Sequence, residues 1–394
     1  MTQLTDRVGT RQQGSSEPSI PWRAFSVTVA GAFIVALDLS IVNVAFPSIA
    51  ASFRDASTTT LSWVLSAYSV VFGALLLGAG RIADRSGRRR AFLQGLGVFT
   101  IGSLLCGVAT SAELLIAGRV VQAIGAALLM PASLGLLLAA TPEPVRPQAV
   151  AMWGGISALA VATGPSFGSL LIDAGGWRWA FLVNLPVAAL AAAGALGWLS
   201  ESRVGGPPPD LFGIALLSAA VAAVALAITQ GGDWGWTSAS VLGSFAAAAG
   251  LATTVVRRGR THVAPALDLR LFESRTARIA NAATVAYAVG FFAMLLCNVL
   301  FLTEVWGYST LKAGLAITPG PLVVAALSRS TGRLATRIGY GRVLVLGGVV
   351  FAVAQVWCAT MVGERPDYLG RWLVPSLIGG LGVGGTTKAF LEGM

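Results

Sequence analysis

Twelve stretches of the chain run free, or almost free, of charged side chains, and short arginine-rich clusters separate them. They cover 24–53 (broken only by Asp38), 56–80, 91–112, 114–142 (broken only by Arg119), 147–172, 179–200, 211–232, 234–256, 279–303, 313–328, 343–363 and 372–387. Ten of the twelve hold 21 residues or more, and a helix needs about 20 apolar residues to cross a bilayer. The two stretches of 16 residues adjoin Lys312 and Lys388, whose long stems can snorkel to the interface. The pattern predicts an all-α polytopic membrane protein with twelve transmembrane helices. Residues 1–22 are polar and lack a short apolar core, so a cytoplasmic tail is expected rather than a cleavable signal peptide.

Composition agrees. Only 11% of the 394 residues are charged, against about 25% in a typical soluble domain, which excludes a soluble globular protein. The net charge of +10 suggests nucleic acid until the basic residues are placed. With the N-terminus inside, twenty arginines fall on cytoplasmic segments, and only Arg54, Arg178, Lys312, Arg365 and Arg371 fall outside. That is the positive-inside bias, and it accounts for the charge beside anionic lipid with no nucleic-acid partner. Cys106, Cys297 and Cys358 lie singly in apolar stretches, and His262 has no Cys or His neighbour. No disulfide, metal site or hydrolytic centre is therefore expected, and no G-x-x-x-x-G-K-[ST] phosphate loop occurs. The chain is not expected to be an enzyme.

The loop after the second stretch, GRIADRSGRRR (Gly80–Arg90), and that after the tenth, GRLATRIGYGR (Gly332–Arg342), share G-x-[LI]-A-x-R-x-G at an offset of 252 residues. Such repetition marks a transporter built from two related halves. Six helices with loops take about 200 residues. The offset leaves room for an extra pair, 211–232 and 234–256, behind the stiff run at 205–209. GRIADRSGRRR resembles the cytoplasmic-loop motif of the major facilitator superfamily. The inserted pair resembles its 14-spanner drug:proton antiporter branch, the EmrB/QacA type. LDLSIVNVAFP (Leu37–Pro47), RVVQAIGAA (Arg119–Ala127), GPSFGS (Gly164–Ser169), WRWAFLVNLP (Trp177–Pro186) and PALDLRLFESR (Pro265–Arg275) resemble further motifs of that branch, in order. Ala123 and Ser169 depart from it where the motifs carry glycine, and Thr336 where the second loop carries aspartate.

The resemblance implies the major facilitator fold: a cytoplasmic tail (1–22), a six-helix bundle (23–203), a linker with the inserted central pair (204–256), a basic cytoplasmic loop (257–278) and a second bundle (279–394). Only four helices are counted in that second bundle. Twelve of an expected fourteen are thus present, and a chain truncated or frameshifted at its C-terminus is expected.

Asp38 is the only acid inside an apolar stretch. A mid-bilayer carboxylate costs ~2.5–3.5 kcal/mol on insertion scales, so it should face a cavity or a partner. It is either a proton-binding group or a structural acid tied to neighbouring helices. Arg119 is the only base so placed. Its motif implies an inward arginine tuning the protonation of a nearby acid, and the alternative is a buried strut. Gln122 lies one turn on, on the same face. Asn43, Tyr68, Gln122, Asn281 and Tyr287 are candidates to line a substrate cavity, or to bridge helices. Gly80, Asp84, Gly87 and Arg88 are expected to form a conformational latch, with Asp84 and Arg88 able to pair at i and i+4. A purely topogenic loop would explain the arginines but neither Asp84 nor the glycines. Gly164, Pro165 and Gly168 put a kink and small faces into one helix. They form either a leak-tight seam, which the family ties to export, or a plain kink.

Together these imply proton-coupled efflux of amphipathic, cationic drugs or secondary metabolites across the bacterial plasma membrane by alternating access. The proton gradient would supply the energy, with no cofactor. The partners would be the small-molecule substrate and the lipid bilayer, around a monomer. A proton-coupled uptake carrier of the same fold and a non-transporting fragment are the alternatives.

Overall fold

The computed structural model describes residues 19–205, 210–263, 265–267, 269, 273–308, 310–317 and 319–392. Most of the expected tail, residues 206–209 of the linker and parts of the basic loop lie outside them. Helix dominates, and no strand occurs among the described residues. The first half holds α1 (Trp22–Ser52), α2 (Thr58–Ser86), α3 (Arg88–Gly107), α4 (Ala112–Ala140), α5 (Arg146–Gly175), α6 (Trp179–Leu182) and α7 (Asn184–Trp198). A hairpin of α8 (Leu211–Trp234) and α9 (Ala239–Gly259) follows. Then come α10 (Arg275–Leu300), α11 (Thr310–Ile317), α12 (Pro319–Ile338), α13 (Tyr340–Met361) and α14 (Leu373–Glu392).

Every one of the twelve apolar stretches carries helix. By length and apolar composition, eight spans qualify among the described residues: α1 to α4, α6 with α7, α8, α9 and α13. The bent α5 makes nine. The stretches at 279–303, 313–328 and 372–387 carry α10, α11 with α12, and α14. The apolar part of α12 is short because Arg329, Arg333 and Arg337 occupy its second half.

Local chemistry sets the boundaries. Ser57, Ser111, Ser238 and Ser274 each accept a bond from the backbone N–H three residues on, satisfying a donor that the first turn leaves free. Prolines set the interior breaks. Pro186 offers no N–H to the Leu182 carbonyl, and α6 gives way to α7 at Val183. Pro165 likewise leaves the Val161 carbonyl without a helical donor, and α5 bends there by 42°. The Ser40 hydroxyl of α1 donates to that carbonyl at 2.7 Å.

Helix α1 is the most buried of the eight spans and packs on α4, α5 and α7. Helices α3 and α4 meet along glycines. A Cβ at Gly125 would fall on the backbone of Phe99 and Gly95, and one at Gly102 on the backbone of Gln122. The second half repeats the contact: a Cβ at Gly382 of α14 would fall on Phe351 and Gly347 of α13. Phe351 and Gly347 follow Phe99 and Gly95 by the same 252 residues that separate the two loops. Gly87 and Gly339, again 252 apart, end α2 and α12 with φ of 112° and 92°, a region only glycine enters freely. The sequence repeat is thus a repeat of backbone geometry. Gly125→Ala should overpack this seam at a cost of about 1–3 kcal/mol and lower the melting temperature in detergent. Gly97→Ala on α3, where an added Cβ meets nothing within 4 Å, should leave it unchanged.

The α8–α9 hairpin packs on the first half through α2, with Ile214 against Gly78. Its two ends are clamped together. Asp210, the buried N-cap of α8, accepts two bonds from Arg258 of α9, at 2.6 and 2.9 Å. Those bonds hold the Asp210 carboxyl below the usual carboxylate range, so the clamp stays charged and closed at neutral pH.

Candidate functional site

Five helices of the first half bring polar side chains to one buried point. Asp38, midway along α1, is 0% exposed. Its Oδ2 accepts from Arg119 Nη1 of α4 at 2.5 Å. Its Oδ1 accepts from Gln122 Nε2 of α4 and Asn184 Nδ2 of α7, both at 2.9 Å. Arg119 is 1% exposed and does not snorkel. Its Nε donates to the Val64 carbonyl of α2 at 3.1 Å, and its Nη1 also donates to Gln122 Oε1 at 2.8 Å. The guanidinium lies 4.1 Å from the Tyr68 ring centroid of α2 and 5.8 Å from that of Phe181. Ser103 of α3 accepts from Gln122 at 2.8 Å and from Asn184 at 3.2 Å. Cys106 donates weakly to Gln122 Oε1 at 3.6 Å.

Burying two charges is costly unless they pair well and their remaining hydrogen-bonding capacity is filled. Both carboxylate oxygens here have donors, so the ion pair is sustained inside the bundle. A charge that only braced four helices could be replaced by apolar packing at little cost or even a gain. What a carboxyl adds is the ability to take up and lose a proton.

The structure therefore gathers Asp38, Arg119, Gln122 and Tyr68. Tyr68 and Gln122, expected on a cavity wall, are instead fully buried against the ion pair. Asn43 is exposed, and its amide donates to the Leu39 carbonyl of its own helix at 2.7 Å. Asn281 and Tyr287 lie on α10, away from this point. Asn281 borders a shallow depression with Arg278 and Val285, and Tyr287 packs on Phe291 and Phe351.

Among the kink residues, Gly164 faces Ser40 and Gly168 faces Ile41, both on α1. They make the α1–α5 contact a close seam that flanks Asp38. In the loop, Asp84 pairs with Arg88 at 2.6 Å, and Arg88 Nη1 reaches the Gly135 carbonyl of α4 at 3.0 Å. Gly80 lies against Pro131 of α4.

Sequence inspection missed Ser103, Asn184 and Glu201. The Glu201 carboxylate accepts from the backbone N–H groups of Arg89 and Arg90, at 3.0 and 3.2 Å. It caps the positive end of α3 at Gly87, where a side chain would strike it. Asn184 had a visible signal: an amide inside an otherwise apolar stretch.

Membrane-length helices converging on a buried acid–base pair, in two halves related by an internal repeat, define a polytopic membrane protein of duplicated architecture. The chain belongs to the Major Facilitator Superfamily, which its residues 28–391 match. It is 39% identical over 327 residues to the multidrug resistance protein Stp of Mycobacterium tuberculosis, a match spanning 82% of this chain and 60% of that protein. It is 31% identical over 358 residues to a methylenomycin A resistance protein of Streptomyces coelicolor (90% of this chain, 74% of that one). It is also 31% identical over 342 residues to a tetracenomycin C resistance and export protein of Streptomyces glaucescens (86% and 63%). The matched region thus spans about 60% of the length of Stp. Its fold is similar to that of the human organic anion transporter MFSD10 (TETRAN), with a TM-score of 0.57 at 16% identity over 94% of this chain and 89% of that one.

Proposed function

We propose that this transporter exports amphipathic, cationic drugs or secondary metabolites across the bacterial plasma membrane in exchange for protons. One observation carries the proposal: the only acid within the apolar stretches is fully buried, paired with the only base there, and held by donors from two helices. When Asp38 is ionised, every group facing it is a donor. When it is protonated, the attraction of Arg119 weakens and α1 is freer to move against α4. Protonation from one side and release to the other, coupled to rocking of the halves, would drive exchange with no cofactor. Export fits the Gly164–Pro165–Gly168 seam and the resistance and export functions named for the relatives. A lipophilic cation would be favoured while Asp38 is anionic.

The proposed topology has twelve spans and a cytoplasmic N-terminus. It places the α8–α9 hairpin as the inserted pair of the 14-spanner branch and the protein as a monomer in the bilayer. Ethidium accumulation in energised cells, with and without a protonophore, tests direction and coupling together. Lower accumulation that the protonophore abolishes is expected; higher accumulation would mean uptake, and no difference from empty cells would mean no transport. Single cysteines placed in the tail, in the 81–90 loop and at 257–263 should resist an impermeant thiol reagent added to intact cells. Labelling at any of them would break the proposed span count.

A further inference from the structure

One acceptor beside the acid is left over. Asn184 Nδ2 donates to Asp38 Oδ1 and Ser103 Oγ. Its Oδ1, in a side chain 1% exposed, has no hydrogen-bond partner among the described residues. A buried polar atom in that state calls for a physical explanation. The neighbouring acceptor, Gln122 Oε1, is already taken by Arg119 and Cys106.

An ionised carboxylate only accepts hydrogen bonds; a protonated one must also donate. Each donor now facing Asp38 would then leave its O–H without an acceptor. An amide's oxygen and nitrogen occupy nearly interchangeable positions. A half-turn of the Asn184 amide brings Oδ1 to where Nδ2 lies, within reach of Asp38. The Ser103 hydroxyl, which can accept or donate, rotates to match.

On the proposal that Asp38 is the proton site, we infer that Asn184 is a positioning residue that responds to its protonation state. Its amide donates to the carboxylate and inverts to accept from the protonated acid. The placement matters for motion. Asn184 is the first residue of α7, directly after the Val183 break where Pro186 leaves the Leu182 carbonyl without its helical donor. Arg119 and Gln122 report to α4, whereas the inversion reports the proton to the α6–α7 joint.

The other ionisable groups around Asp38 are Arg119 of α4, Tyr68 of α2 and Cys106 of α3. Helix α5 brings the Val161 carbonyl to Ser40, and α6 brings the Phe181 ring. Tyr68 Oη is also buried without a partner, but its ring is committed to the Arg119 guanidinium and no hydrogen bond joins it to Asp38.

Infrared difference spectra of the purified full chain, titrated with pH in detergent, test this. The protonated-carboxyl C=O band that Asp38→Asn removes belongs to Asp38. Asn184→Ala should move that band to higher wavenumber, because its O–H loses its acceptor. Ser103→Ala, gentler on the fold, should move it the same way by less; if Asn184→Ala does not elute as a single species, Ser103→Ala carries the test. Tyr68→Phe should leave the band in place. A band unmoved by the Asn184 and Ser103 variants, or moved by Tyr68→Phe alone, overturns the inference while the proton site stands. If Asp38→Asn removes no titrating band, the proton-site proposal fails, and this inference with it.

Discussion

Replacing Asp38 with asparagine should abolish protonophore-sensitive efflux while the protein remains inserted at its normal level. Asparagine is nearly isosteric and α1 keeps its apolar length, so insertion should survive, although Arg119 loses its counter-charge and some thermal stability is lost with it. What is lost is the titratable proton. The surroundings sharpen the expectation, because every group facing Asp38 is a donor: Arg119 Nη1, Gln122 Nε2 and Asn184 Nδ2. An asparagine that offers its oxygen to Arg119 must turn its own NH2 toward two amide donors. Gln122 cannot easily invert in response, since its Oε1 is held by Arg119 and its Nε2 by Ser103. The variant is therefore fixed in an arrangement belonging to neither the charged nor the protonated state. Ethidium accumulation with and without a protonophore, alongside an immunoblot of the membrane fraction, checks this. Normal efflux would remove Asp38 from the coupling role.

The charges of this site were legible in the sequence because charge inside an apolar stretch is rare and costly. Asp38 and Arg119 each stand alone in a long run, and Gln122 follows by helical spacing. Their direct contact was not legible, since it joins residues 81 apart in sequence. Asn184 is farther still from Asp38, by 146 residues. It and Ser103 are neutral polar residues of a kind that helices in lipid also use to bond one another, so their presence in apolar stretches did not by itself assign them to this site. Tyr68 stood out as amphipathic, but a sequence does not say whether an aromatic ring faces a cavity or lies on a buried guanidinium. The fold was legible through its 252-residue repeat, which reappears in Gly87 and Gly339 and in the Phe99 and Phe351 contacts. Among the described residues, eight or nine of the twelve expected spans are long and apolar enough to cross a membrane; charge-free length marks where a helix can start and stop, and α12 shows that arginines can also occupy half of a helix.

The largest loss of stability is expected from breaking the ion pair on its basic side. Arg119→Met keeps a long, flexible side chain against the Tyr68 and Phe181 rings but leaves the Asp38 carboxylate buried without a counter-charge. Removing one partner of a buried pair costs about 3–5 kcal/mol, whereas replacing both by well-packed neutral groups is often near neutral. The double variant Asp38→Asn/Arg119→Met should therefore recover most of what Arg119→Met loses. The two single effects should fall far from additivity, as expected of residues in direct contact. Recovery should not be complete, because the Val64 carbonyl loses the Arg119 Nε bond. Transport should stay absent in all three variants, separating stability from coupling. Thermal unfolding of the purified proteins in one detergent and buffer measures the cycle. A double variant whose loss equals the sum of the two single losses would mean that Asp38 and Arg119 contribute independently, and the buried pair could not then be the unit on which proton exchange acts.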